Sequence, residues 1–138
     1  MLKGKLLNPE ILRVLACSGH GSKILIADGN YPFNTGSSGN ATKVFLNLMP
    51  GIPKVTDVLE ALLSCIEVEK AEVMLPADGH TPEIFNEFKQ VLPKSLQLDG
   101  LDRFQFYEEV RKQNTSLVIA TAEQRVYANL LLTIGVVK

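Results

Sequence analysis

Apolar residues recur at two different spacings in this chain, and the switching between them marks out its elements. In NPEILRVLACS (8–18), Ile11, Leu12, Leu15 and Ala16 fall on one face of a helix. Asn8 can cap it, Pro9 suits its first turn, Glu10 complements the positive dipole end and Gly19 supplies a stop. KILIA (23–27) is a short, unbroken, β-branched run and predicts a strand; DGNYPFNTGSSGNAT (28–42) predicts a long loop. KVFLNL (43–48) reads as a second strand, followed by the turn MPGIP. From Pro53, Val55, Val58, Leu59, Leu62, Leu63 and Ile66 step by three and one, the signature of an amphipathic helix.

KAEVMLP (70–76) predicts a third strand, and TPEIFNEFKQVL opens another helix, with Thr81 as cap and Pro82 in the first turn. RFQFYEEVRK (103–112) predicts a helix in which Phe104, Phe106 and Tyr107 pack while Glu108, Glu109, Arg111 and Lys112 face water. SLVIAT (116–121) is a strong strand, and YANLLLTIGVV at the end predicts one more, interrupted at Gly135. Helices between short apolar strands predict an α/β fold: one layered domain over residues 1–138, with a largely parallel sheet flanked by helices.

Composition narrows the function by exclusion. Fourteen Lys and Arg stand against 15 Asp and Glu without a basic run, so binding to nucleic acid has no electrostatic support. No stretch approaches the roughly 20 apolar residues that span a bilayer. Asn8, Pro9 and Glu10 break the N-terminal apolar run, so no secretory leader is expected and a cytoplasmic setting is. Cys17 and Cys65, each flanked by apolar residues on a helix-like segment, are expected as buried thiols in a reducing compartment. Cys17 and His20 are two ligands where zinc wants three or four, so no metal is expected. GSSGN matches neither the dinucleotide nor the phosphate-loop pattern, and no G-x-S-x-G elbow is present.

The chemistry-bearing residues gather around GHGSKILIADGNYP (19–32). In parallel sheets ligands bind where loops leave the carboxyl ends of strands, and Asp28 stands directly after KILIA. It is placed to accept from a polar ligand or, alternatively, to close an Asx-turn in its own loop. His20 precedes the same strand and falls at its opposite end, where a site forms only if another element or subunit closes over it. Glycines on both sides permit close approach. Arg103 opens a helix, where a cation is electrostatically disfavoured. Tyr127 and Asn129 precede the last strand and suit a hydroxyl-rich ligand. These residues describe a small polar ligand site without a cofactor.

LLNPEILRVLACSGHGSKILIADGNYP, RFQFYEE and YANLLLTIGVV, in this order across most of the chain, resemble the sugar mutarotase family that contains L-fucose mutarotase and D-ribose pyranase. The resemblance implies a cofactor-independent isomerase that interconverts sugar anomers. By the same resemblance His20 is the catalytic acid, Asp28 and the Tyr127-Ala128-Asn129 segment bind the sugar, and Arg103 matches the arginine of the L-fucose branch. Where fucose-type members carry RADG, this chain reads NLMPG. The resemblance also implies a homo-oligomer, a decamer of stacked pentamers with sites near subunit contacts, and the apolar C-terminal LLLTIGVV suits either such a contact or the chain's own core. D-ribose pyranase and a non-enzymatic monosaccharide-binding protein are the alternatives. Asp78 and His80, in DGH, have no role in this reading.

Overall fold

The computed structural model describes residues 1–138, in the chain order α1 (Pro9–Cys17), β1 (Lys23–Ala27), β2 (Thr42–Phe45), α2 (Val55–Leu63), β3 (Val68–Met74), α3 (Ile84–Val91), β4 (Leu98–Leu101), α4 (Arg103–Arg111), β5 (Thr115–Ala120) and β6 (Leu130–Ile134). The strands form one sheet in the order β2-β5-β1-β6-β3-β4. β1 and β2 pair parallel to β5, and β3 pairs parallel to β4, whereas β6 runs antiparallel to both β1 and β3. Five strands therefore point one way and only β6 opposes them. This is the largely parallel α/β architecture that the alternating elements predict.

Alternate residues of the central strands feed two cores. Ile24, Ile26, Leu117, Ile119, Leu130 and Leu132 pack under α1, α2 and α3. Leu25, Ala27, Val118 and Leu131 face the other way, toward Phe106 and Val110 of α4. Strands covered on both faces read as continuous apolar runs rather than alternating ones, which is why KILIA is apolar throughout after Lys23 and LLLTI carries Thr133 as its one polar position. All five β6 residues are buried between β1 and β3, so core burial accounts for the apolar LLLTI.

Several expectations are corrected. β4, LDGL, has no apolar periodicity and no strand is expected there; it is an edge strand, paired only to β3. α3 begins at Ile84 rather than at a Thr81 cap, and Glu83 at its N-cap position makes no side-chain capping bond. Both cysteines are exposed and free. Cys17 lies two residues past buried Leu15, about 200° round the helix, and Cys65 falls in the turn beyond α2. Phe104 is 75% exposed, because α4 buries only the i, i+4 pair Phe106 and Val110. Glu109 does not simply face water. Together with buried Glu72 it receives the ammonium of buried Lys23, at 2.5 and 2.8 Å.

Candidate functional site

The parallel strands all end at one edge of the sheet, and β6 begins there. Chain direction alone thus brings together the loops after β1, β3 and β4 and the segment before β6. Asp28 follows β1, Met74 ends β3, Arg103 opens α4 directly after β4, and Tyr127, Ala128 and Asn129 lead into β6. A cleft of about 440 Å³ lies among them, lined by Asp28, Met74, Arg103, Tyr127 and Asn129, with Asn30, Tyr31, Tyr107 and Val126 completing the wall. A second cleft of about 440 Å³ shares Asn30 and lies over the β2 and β5 ends, but among its lining residues Glu123 is the only titratable group. The sequence-predicted site residues Asp28, Arg103, Tyr127 and Asn129 line the first.

Each lining side chain is held by local structure. Asp28 and Asn129 are both buried and bond reciprocally: the Asp28 N–H donates to Asn129 Oδ1 at 2.8 Å, and Asn129 Nδ2 donates to Asp28 Oδ2 at 2.9 Å. Asp28 Oδ1 also accepts from the Asn30 N–H at 3.0 Å, so the Asx-turn is present. A carboxylate has about four acceptor positions, so turn and ligand are compatible. Burial pushes the Asp28 carboxyl above its ordinary range, while bonds from the Asn30, Ala128 and Tyr31 backbone and the Asn129 amide oppose the shift. The result is a buried, partly satisfied acceptor on the cleft floor. Tyr31 donates to the Gly36 carbonyl at 2.5 Å, and burial, the largest cause, raises its pKa. Position 36 must be glycine, since a Cβ there would stand 2.9 Å from the Tyr31 ring and Pro32.

Arg103 is exposed and lacks a carboxylate partner; its guanidinium lies 5.7 Å from the Tyr107 ring centroid, and Arg111 lies 5.7 Å from the same ring. Cation–π contact with Tyr107 is what holds a cation at this helix start, aided by the neighbouring Asp102 carboxylate that caps Phe104 and Gln105. Tyr127 has φ 60°, the only positive φ at a non-glycine residue. Ala128 is buried in the main core, so its side chain does not reach the cleft. The segment preceding them is anchored by Thr121, which donates to the Ala27 carbonyl at 2.7 Å, and by Arg125, whose guanidinium bridges Glu123 and Glu87.

His20 is elsewhere. It sits at the far edge of the sheet, beyond the start of β1, where the neighbouring Gly21 N–H donates to the Ile134 carbonyl at 2.9 Å. Its Nε2 meets the Glu69 carboxylate at 2.9 Å, and both side chains are about half exposed. Between it and Asp28 lies the whole of β1, five residues spanning about 16 Å. Within one chain the structure joins Asp28, Arg103, Tyr127 and Asn129, and leaves His20 apart.

Sequence reasoning misses Tyr31, Asn30 and Met74 as lining residues and takes Tyr107 for packing alone. Asn30 and Tyr31 lie two and three places from Asp28, in the loop already identified as a ligand loop, and that proximity is the available signal. No group of three or more His, Cys, Asp or Glu side chains is arranged to hold a metal ion, and no helix is long and apolar enough to cross a membrane.

Comparison with known proteins places this arrangement in context. Residues 1–137 match the RbsD / FucU transport protein family. A D-ribose pyranase from Variovorax paradoxus (strain S110) is 34% identical over 140 residues, covering 99% of this chain and 98% of that protein. The fucose mutarotase of Homo sapiens is 33% identical over 150 residues, covering 98% and 94%. Among solved structures, Bacillus subtilis RbsD complexed with D-ribose superposes with a TM-score of 0.82 at 28% identity, over the whole of both chains.

Proposed function

The chain belongs to the RbsD / FucU transport protein family, and on that premise we propose that it is a cofactor-independent isomerase interconverting the α and β anomers of a monosaccharide. The relatives it matches are sugar isomerases of two kinds, pyranase and mutarotase, at nearly equal identity. The observation that carries the proposal is the buried Asp28–Asn129 pair on the floor of a cleft whose rim holds Tyr127 and an unpaired arginine. A buried carboxylate acceptor, an amide and a fork of N–H donors suit vicinal hydroxyls.

Anomer exchange needs a proton delivered to the ring oxygen as its bond to the anomeric carbon breaks, and a proton removed from the anomeric hydroxyl. The electron pair from that O–H bond forms the aldehyde carbonyl. Rotation and the reverse transfers close the ring on either face. Histidine titrates near neutrality and suits two-way proton traffic, so His20 is the acid in this proposal. Asp28 and Asn129 orient the hydroxyls, with Tyr127 at the rim, and Arg103 donates to the sugar from the opposite wall. Because His20 lies at the far edge of its own sheet, it serves the cleft of a neighbouring subunit, which supports a homo-oligomer of the stacked-pentamer kind. Two exposed free thiols fit a reducing, cytoplasmic setting.

For the sugar, we favour L-fucose or a related six-carbon sugar. Arg103 opens the RFQFYEE helix and offers several fixed donors where an imidazole offers one. The second reading, D-ribose pyranase, is favoured by the superposition on the ribose-bound protein. Saturation-transfer NMR between the forms of L-fucose, D-galactose and D-ribose tests both. Accelerated exchange for fucose supports the first reading, acceleration for ribose alone supports the second, and tight binding without acceleration of any sugar would refute both.

A further inference from the structure

The loop after β3 carries a pair of residues the proposed mechanism does not use. In Asp78-Gly79-His80, Asp78 Oδ1 accepts from the His80 backbone N–H at 3.1 Å and lies 2.5 Å from His80 Nδ1. A carboxylate offers only acceptors to a facing ring nitrogen, so the proton is fixed on Nδ1 and the ring plane is set. Gly79, at φ +80°, supplies the left-handed turn that folds His80 back over Asp78. The ring so fixed packs against one aromatic partner, Tyr127, at a centroid distance of 6.1 Å and an interplanar angle of 80°, a T-shaped contact. Tyr127 lines the sugar cleft, and it alone among non-glycine residues has a left-handed backbone, a conformation that persists only where its surroundings hold it.

We propose that the Asp78–His80 pair is a positioning device for the sugar-contacting Tyr127: His80 buttresses the tyrosine ring edge-on, and Asp78 locks His80. This deepens the proposed function and rests on its reading of Tyr127 as a sugar contact. His80 itself is not among the residues lining the cleft, so its action passes through the tyrosine rather than through a proton given to the sugar. The chain has only two histidines, which makes the histidine signals easy to assign.

The test measures KM and kcat for anomer exchange, and Kd for the same sugar, with the full-length wild type, His80→Ala, His80→Phe and Asp78→Ala, each checked for an unchanged Tm. Removing the ring that buttresses a binding residue is expected to raise KM and Kd about two- to tenfold in His80→Ala while kcat changes little. His80→Phe keeps a ring against Tyr127 and restores both constants; Asp78→Ala falls between. Unchanged KM and Kd in His80→Ala would overturn the proposal, and so would a kcat loss that phenylalanine does not rescue, which marks proton transfer instead. Should the wild type bind sugar without accelerating exchange, the proposed isomerase reading fails while the Kd series still decides the role of the pair. Absence of any sugar binding by the wild type sinks both.

Discussion

Asp28 and Asn129 are 101 residues apart in sequence and exchange two hydrogen bonds, at 2.8 and 2.9 Å, across the junction of β1 and β6. Because β6 is the one reversed strand, its start meets the end of β1. The pair therefore ties two chain segments together at the floor of the cleft.

Replacing Asp28 by asparagine is expected to weaken sugar binding while changing stability at neutral pH by no more than about 1 kcal/mol. The loss of one hydrogen bond is offset by removal of a buried charge. The pH dependence has a definite sign. Burial raises the folded-state pKa of Asp28, so its stabilising contribution is full below the unfolded value of 3.8 and is lost as pH rises through the raised folded value. Thermal melts of both proteins between pH 3.5 and pH 7, about the carboxylate range, should show wild type gaining on Asp28→Asn toward acid. A difference that moves the other way contradicts the assigned pKa direction.

His20→Ala should fold normally and lose about 10²- to 10⁴-fold in catalysed exchange. A folded variant with the wild-type rate removes His20 from the mechanism.

The separation of His20 from Asp28 makes a sharper experiment possible. His20→Ala and Asp28→Asn should each be impaired alone, the first in proton transfer and the second in sugar binding. If sites are assembled from two chains, co-refolding an equal mixture should restore about a quarter of the sites. Recovered activity, with sedimentation showing a large oligomer, is the expected outcome. An active monomer excludes it.

Arg103→His should lower exchange of L-fucose more than that of D-ribose, since it replaces a fork of donors with a single imidazole and removes the cation stacked on Tyr107. Relative rates for the two sugars in one NMR assay read this directly. Equal losses for both would make Arg103 structural.

Lys23 is buried and paired with Glu72 and Glu109, binding the start of β1 to β3 and α4 at the end of the strand away from the cleft. Burial pushes Glu109 up, but hydrogen bonds from Lys112 and Lys23 outweigh it and hold the carboxyl below its ordinary range. Lys23→Met should cost about 3 kcal/mol, the lower end for breaking a buried pair, because Lys70 and Lys112 still serve the two glutamates. Chemical denaturation measures it; a loss below about 1 kcal/mol would show that the pair is no better than a surface one.

Reading the amino acids alone was enough for most of the elements. KILIA, the stepped apolar face of α2 and the Asn8 cap, which accepts from the Ile11 N–H at 3.0 Å, all depend on neighbours within a few residues. It was also enough to put Asp28 and Asn129 at strand boundaries, because a polar residue beside an apolar run marks where the sheet ends. What it could not supply were pairings between distant segments. LDGL becomes a strand only because β3 offers it an edge, and LLLTI runs antiparallel only because of the slot it fills between β1 and β3. The same holds for Lys23 with Glu72, His20 with Glu69 and His80 against Tyr127. Such contacts arise from the direction and order in which strands are laid side by side, and local periodicity carries neither.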